Sequence, residues 1–147
     1  MKRIHLKGSW IIKAPREEIY KIMTDFENMP RYFPEVADSL RIVKREGNNL
    51  IIEAEAKTFG RVIPVHMETQ LRPPVGYVSD NKSAIGTAGH EEFLMEEVPE
   101  GTKINYTYDV DINNPFLRIF GRVLIGWYAM RFWKCAVIDK LKEMLEQ

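Results

Sequence analysis

The sequence predicts an α+β fold, a curved seven-stranded antiparallel sheet wrapped around a long C-terminal helix, with two short helices after the first strand. Three observations lead there. From Val36 to Ile112 apolar side chains recur at every second residue, in short runs separated by turn residues. Helical spacing broken by proline follows the first strand. From Pro115 onward no strong helix breaker appears before Gln147.

The first strand is read from Leu6, Gly8, Trp10 and Ile12, which alternate with Lys7, Ser9, Ile11 and Lys13. Ala14-Pro15 ends it. Pro15 suits a helix start, Glu17 and Glu18 suit the positive end of the helix dipole, and Ile19, Ile22, Met23 and Phe26 repeat at helical spacing. Pro30 and Pro34 confine a second short helix to the region from Asn28 to Phe33. Strands are then predicted over Leu40–Arg45 and Leu50–Lys57, joined at Gly47-Asn48-Asn49. Further strands follow over Arg61–Leu71, Gly76–Ile85, Glu91–Val98 and Lys103–Ile112, with Gly86-Thr87-Ala88-Gly89 taken as a turn. Asn114-Pro115 opens the last helix, which would run roughly 48 Å to Glu146 at ~1.5 Å per residue, with Gly121 and Gly126 as bending points. It is the only element long enough to cover the apolar face of the sheet.

With 147 residues, 45% of them hydrophobic, the chain is sized for one domain with one core, residues 1–147. Lysine plus arginine equals aspartate plus glutamate, 21 against 21, which argues against a dedicated nucleic-acid binder. The single cysteine, Cys135, allows no internal disulfide. Lys7 and Gly8 interrupt any signal-peptide core, and Arg118, Arg122 and Arg131 burden the longest apolar stretch, Phe116 to Trp133. The expected location is cytoplasmic.

The run Ala14-Pro15, Tyr20 and then Asp25-Phe26-Glu27-Asn28-Met29-Pro30-Arg31-Tyr32-Phe33-Pro34-Glu35-Val36 resembles the SRPBCC (START-like) superfamily of helix-grip proteins. The D-x-E-x-x-P-x-x-x-P-x-V arrangement most resembles its polyketide-cyclase/dehydrase and coenzyme-Q-binding branch. The Gly101-Thr102 turn and the amphipathic last helix match it too. The resemblance covers essentially the whole chain. It implies a helix-grip fold and a hydrophobic ligand held between sheet and helix. It carries over no catalytic motif, because no motif of an enzymatic branch has a match in this sequence, and the superfamily itself spans carriers, receptors and enzymes.

Parity places Leu6, Gly8, Trp10, Ile12, Leu50, Ile52, Ala54, Ala56, Ile63, Val65, Met67, Tyr77, Ser79, Phe93, Met95, Ile104, Tyr106 and Tyr108 on the inward face. Small residues there, Gly8, Ala54, Ala56 and Ser79, either leave volume or receive larger neighbours. On the last helix a uniform ~100° step puts Phe116, Phe120, Val123, Trp127, Ile138, Leu141 and Leu145 on one stripe, with Arg131 and Lys134 among them. Cations on a core face need partners. Either they snorkel out or pair with Glu91 or Glu97, or they fix an anionic or carbonyl end of a ligand. The candidate ligand-binding set is therefore Trp10, Ala54, Ala56, Met67, Tyr77, Phe93, Tyr106, Tyr108, Phe120, Trp127, Arg131 and Lys134. The other helix face, with Ile125, Ala129, Phe132, Trp133 and Ala136, reads as a contact surface for a second copy, a protein partner or a membrane surface, unless the N-terminal helices cover it.

No metal ligand set or cofactor is expected. His5, His66 and His90 fall on the outward parity and far apart in sequence, and Cys135 reads as a buried, inert thiol. Serines lack a nucleophile-elbow setting, and Gly86–Gly89 lacks the helix a phosphate cradle needs. Glu91 is the one candidate acid–base group. Inside an apolar site, beside Tyr106 or Arg131, it would titrate high and could assist a cyclisation or dehydration. The primary expectation is a binder or carrier of a hydrophobic molecule such as a lipid, isoprenoid or polyketide-like compound. A cyclase/dehydratase and an interaction protein are the alternatives. The turns at Thr58–Gly60 and Gly86–Gly89 are candidate gates.

Overall fold

The computed structural model describes residues 3–58, 61–84, 86–112 and 130–146. Strand β1 (Arg3–Ile12) is followed by helix α1 (Arg16–Met23), a 3-10 turn (Phe26–Asn28) and the one-turn helix α2 (Met29–Tyr32). Strands β2 (Ala37–Glu46), β3 (Asn49–Thr58), β4 (Arg61–Arg72), β5 (Gly76–Ser83), β6 (Thr87–Val98) and β7 (Gly101–Ile112) come next. The described part of the C-terminal helix, α3, covers residues 130–145. The strands form one seven-stranded antiparallel sheet in the order β1-β7-β6-β5-β4-β3-β2. This is the helix-grip arrangement.

The order sets the task of the N-terminal helices. β1 and β2 adjoin in sequence but occupy opposite edges, so the segment between them must travel across the molecule. Its amphipathic side chains hold it down on the way: Ile19, Met23, Phe26, Met29 and Phe33 are all buried in the core. A polar clasp fixes the bend. The Asp25 carboxylate accepts from Asn28 Nδ2 at 3.0 and 2.9 Å and from Tyr32 Oη at 3.0 Å. At the far end, Lys13 N donates to Glu146 Oε1 at 2.8 Å, which ties the end of α3 to β1. The buried Thr102 hydroxyl donates to Ala14 O at 2.7 Å.

Strand ends move by a few residues, and one turn and one helix phase differ from the sequence expectation. β6 starts at Thr87, so the predicted Gly86–Gly89 turn is mostly strand, and Gly89 pairs with Val110 and Asn81. The turn shrinks because cross-strand hydrogen bonding outweighs weak local propensity. The helix phase slips because residues Lys134–Ile138 form a π turn. A π turn holds about one residue more than an α turn, so angles counted at a uniform ~100° rotate off register. Ile138 and Leu141 of the predicted stripe are buried, but so is Ala136, which the uniform step places outside, and Val137 with it. Arg131 is exposed rather than inward. Lys134 is half-exposed and reaches Asp139 at 3.5 Å, not a core carboxylate. Trp133, expected outside, packs inward. Cys135 is exposed, not buried.

Gly76 opens β5 at φ 150°, and a Cβ there would sit 1.8 Å from the Phe93 carbonyl oxygen. Gly47, in the β2–β3 turn, has φ 61° and open space around it. Gly76→Ala should therefore lower stability by more than about 2 kcal/mol, since backbone must move, while Gly47→Ala should cost only about 1 kcal/mol of left-handed strain. Urea unfolding of the two variants checks this order; equal losses would contradict it.

Candidate functional site

The inner face of the sheet is organised in cross-strand rows. One row runs Leu71–Tyr77–Phe93–Tyr106–Gly8 across β4, β5, β6, β7 and β1. The next runs Leu50–Thr69–Ser79–Glu91–Tyr108–Leu6, polar in its middle and closed by a leucine at each end. Alternation within a strand puts both rows on one face, so residues two apart share it.

The first row builds an aromatic floor. Tyr77 stacks on Phe93 with centroids 5.6 Å apart and interplanar angle 13°, and Phe26 meets Tyr77 edge-on at 5.5 Å. From α3, Trp133 stacks on Tyr106 at 4.1 Å and also lies 5.3 Å from Trp10. Trp10 can lie down because Gly8 precedes it by two positions. A Cβ on Gly8 would come 2.2 Å from the indole Cη2 and 2.7 Å from Met130 Cε. The volume that the sequence reading assigned to Gly8 is thus occupied by Trp10.

The second row carries the polar chemistry. Tyr106 Oη donates a short hydrogen bond to Glu91 Oε2, and the Tyr77 hydroxyl also bonds the Glu91 carboxyl. Burial pushes Glu91 above the usual carboxylate range, against the opposing pull of these two phenols and of the His90 charge. Tyr77 and Tyr106 are pushed well up, by burial first and then by the Glu91 charge. Tyr108 rises to about 12 for the same two reasons. Its ring lies on Gly89, where a Cβ would stand 2.6 Å from the hydroxyl oxygen. Beside Glu91 the hydroxyls of Thr69 and Ser79 are buried and 2.9 Å apart. Ser79 donates to Asn81 Oδ1 at 2.7 Å, so the shared proton between the two hydroxyls comes from Thr69.

Of the residues singled out in the sequence, Tyr77, Phe93, Tyr106, Tyr108, Glu91 and Trp10 come together on this floor. Ala54, Ala56 and Met67 line the same face over β3 and β4. Arg131 and Lys134 do not join them. Phe120, Trp127 and Ile125 lie outside the described residues. Of the proposed contact surface, Phe132 is half-buried, Trp133 packs against the core and Ala136 is buried, while Ala129 lies outside the described residues. Sequence reasoning missed Thr69, Asn81 and Trp133. Parity carried two residues past Met67 would have found Thr69.

The three histidines sit on the outer face, each against a carboxylate: His5 with Asp109, His66 with Glu53, His90 with Asp80 at 2.8 Å and Glu92 at 2.9 Å. Among the described residues no group of three or more histidine, cysteine or acidic side chains is arranged to hold a metal. Among them also, no helix is long and apolar enough to cross a membrane. Two surface depressions, one lined by Lys44, Leu50, Thr69 and Asp80 and one beside Arg16 and Glu97, do not include Glu91 in their lining.

The sheet, grip helix and crossing helices define a START-like protein. The chain belongs to the family described as polyketide cyclase / dehydrase and lipid transport, which it matches over residues 3–146. Among solved structures it is similar to TTHA0849 from Thermus thermophilus, with TM-score 0.79, 20% identity and 95% of each chain covered. It is similar to a START superfamily protein from Mycobacterium smegmatis, with TM-score 0.71, 18% identity and 99% and 97% covered. The Zhui aromatase/cyclase from Streptomyces sp. R1128 gives TM-score 0.70, 14% identity and 77% and 70% covered. At these identities the likeness is one of fold. No curated protein matches the sequence.

Glu91 has a raised folded-state pKa against an ordinary value of 4.5. The folded state then binds more protons than the unfolded one between those two values, so this group removes stability as pH rises through that window. Glu91→Gln deletes the effect. The stability difference between variant and wild type should shift in the variant's favour from pH ~4 upward until it levels off above the folded value. A pH-independent difference in urea midpoints would refute the assignment.

Proposed function

We propose that this protein is a cytoplasmic binder or carrier of a hydrophobic small molecule, held on the inner sheet face beneath α3. The observation that carries the reading is the half-buried Glu91 carboxyl on the inner face, flanked by an aromatic row and held by the phenols of Tyr77 and Tyr106. A fold seeking stability alone gains little from such a group, because desolvating an acid opposes folding. A few polar atoms converging in an apolar concavity are what orient a ligand. The family description, which names lipid transport beside cyclases, supports the same reading. In this reading the aliphatic side, with Ala54, Ala56 and Met67, takes the apolar body, and the Glu91 end takes the polar group.

The Tyr106–Glu91 contact favours a second reading, a cyclase or dehydratase in which Glu91 moves protons. The two part on one substitution. In the enzyme, Glu91→Gln abolishes turnover of an identified substrate while binding persists; unchanged turnover eliminates the enzymatic reading.

Native mass spectrometry of protein purified from its own cells tests the primary reading. The expected spectrum shows one apolar compound per chain. Ala56→Phe, which fills the inner face, should lower its occupancy about tenfold while the circular dichroism spectrum is retained. An empty protein, or occupancy that Ala56→Phe leaves unchanged, counts against a ligand in this position.

A further inference from the structure

We propose that the inner-face site selects a ligand whose polar end is a neutral hydroxyl and rejects one that ends in a carboxylate or phosphate. The inference rests on the ligand-binding reading and adds to it the charge of the ligand's polar end.

Three observations on the same patch carry it. The polar focus is an acid: Tyr106 donates to Glu91, which makes the carboxylate the acceptor, so a group that bonds it must supply a proton. No cation on the inner face offsets that charge among the described residues. Arg131 is exposed, Lys134 turns to Asp139, and His90, whose charge acts on Glu91, lies on the opposite face between Asp80 and Glu92. Directly across from Glu91 in the register stands Tyr108, whose hydroxyl lies over the gap left by Gly89 and has no hydrogen-bond partner among the described residues.

The pair suits one functional group. A ligand hydroxyl can donate to the Glu91 carboxylate and accept from the Tyr108 phenol at once, which satisfies both protein atoms. The two residues are register partners on neighbouring strands, and the Glu91 charge is felt at the Tyr108 phenol, so both groups face the same part of the inner sheet. A carboxylate or phosphate would instead bring a like charge beside the Glu91 carboxylate in a partly dry site, a penalty worth at least about tenfold in affinity.

The test uses two amphiphiles of equal chain length, 1-dodecanol and dodecanoate, titrated at mildly alkaline pH against the full chain and followed by tryptophan fluorescence. Dodecanol should bind at least about tenfold more tightly. Part of that ratio reflects the lower polarity of the alcohol, so the deciding variant is Glu91→Gln, in which the ratio should shrink several-fold through tighter dodecanoate binding. Tyr108→Phe provides an independent arm: dodecanol should weaken about three- to tenfold, with dodecanoate unmoved. A preference for dodecanoate, or a ratio unaltered in both variants, overturns the hydroxyl inference and leaves the ligand-binding reading standing. Failure of the wild-type protein to bind either amphiphile overturns both.

Discussion

The pairing of β1 with β7 is the constraint on which the rest of the molecule depends. It joins the start of the chain to the last strand in an unbroken register from Arg3–Asp111 to Ile12–Thr102. It forces α1 and α2 across the molecule, because β2 must then form the opposite edge. It also sets Gly8 against Tyr106 and Leu6 against Tyr108. Only with Gly8 at that position can Trp10 lie along the floor, and only then can Trp133 from α3 stack against both Trp10 and Tyr106. Closure of the sheet, docking of the helix and the setting of the Glu91 hydrogen bond therefore share one side chain, Tyr106.

The sheet separates two kinds of acid. On the outer face carboxylates meet histidines in solvent. His90 touches a carboxylate with each ring nitrogen, and since carboxylates only accept, the two contacts favour the doubly protonated, cationic ring. Its pKa is raised above 6.5, chiefly by the bond to Asp80, so the stability it adds is complete below that value and fades as pH rises through the folded one. On the inner face Glu91 has phenols in place of a cation. Sequence neighbours, His90 and Glu91 sit on opposite faces, one solvated and one not, and both make the fold weaker as the solution becomes more alkaline.

Much of the fold was legible because period-two alternation is a local signal with long consequences. In β7, Ile104, Tyr106 and Tyr108 point to one face by parity alone, and they do. Glu91, Tyr77 and Tyr106 could be placed on the inner face by the same argument, and their meeting follows from a register set by the β5–β6 and β6–β7 turns. The helix was less legible. Parity resets at each turn, but a helical phase accumulates error along its length, and one π turn at Lys134–Ile138 sufficed to exchange Arg131 for Trp133. Nothing local in Lys134-Cys135-Ala136-Val137-Ile138 announces that turn. It is selected by packing: with more residues per turn each step is smaller, so Ala136, Val137 and Ile138 fall within a narrower arc than in an α turn and are all buried in succession.

That exchange reverses the sign of the site. A helix with Arg131 and Lys134 facing inward would have offered the sheet a cationic end, and Glu91 would have been its counter-ion. With those residues outside and Trp133 in their place, the acid keeps only phenolic partners among the described residues, and the polar focus of the inner face is electron-rich. The fold is shared with proteins whose sequences agree at only 14–20% of positions, so backbone geometry cannot specify what is bound. In the proposed reading the ligand's character would be set instead by side chains on four adjacent strands, β4 to β7. Thr69 and Ser79 satisfy each other and Asn81, while Glu91 and Tyr108 stand opposed with capacity to spare. The first group stabilises the floor, and the second is where, in the proposed reading, recognition by hydrogen bonding would occur.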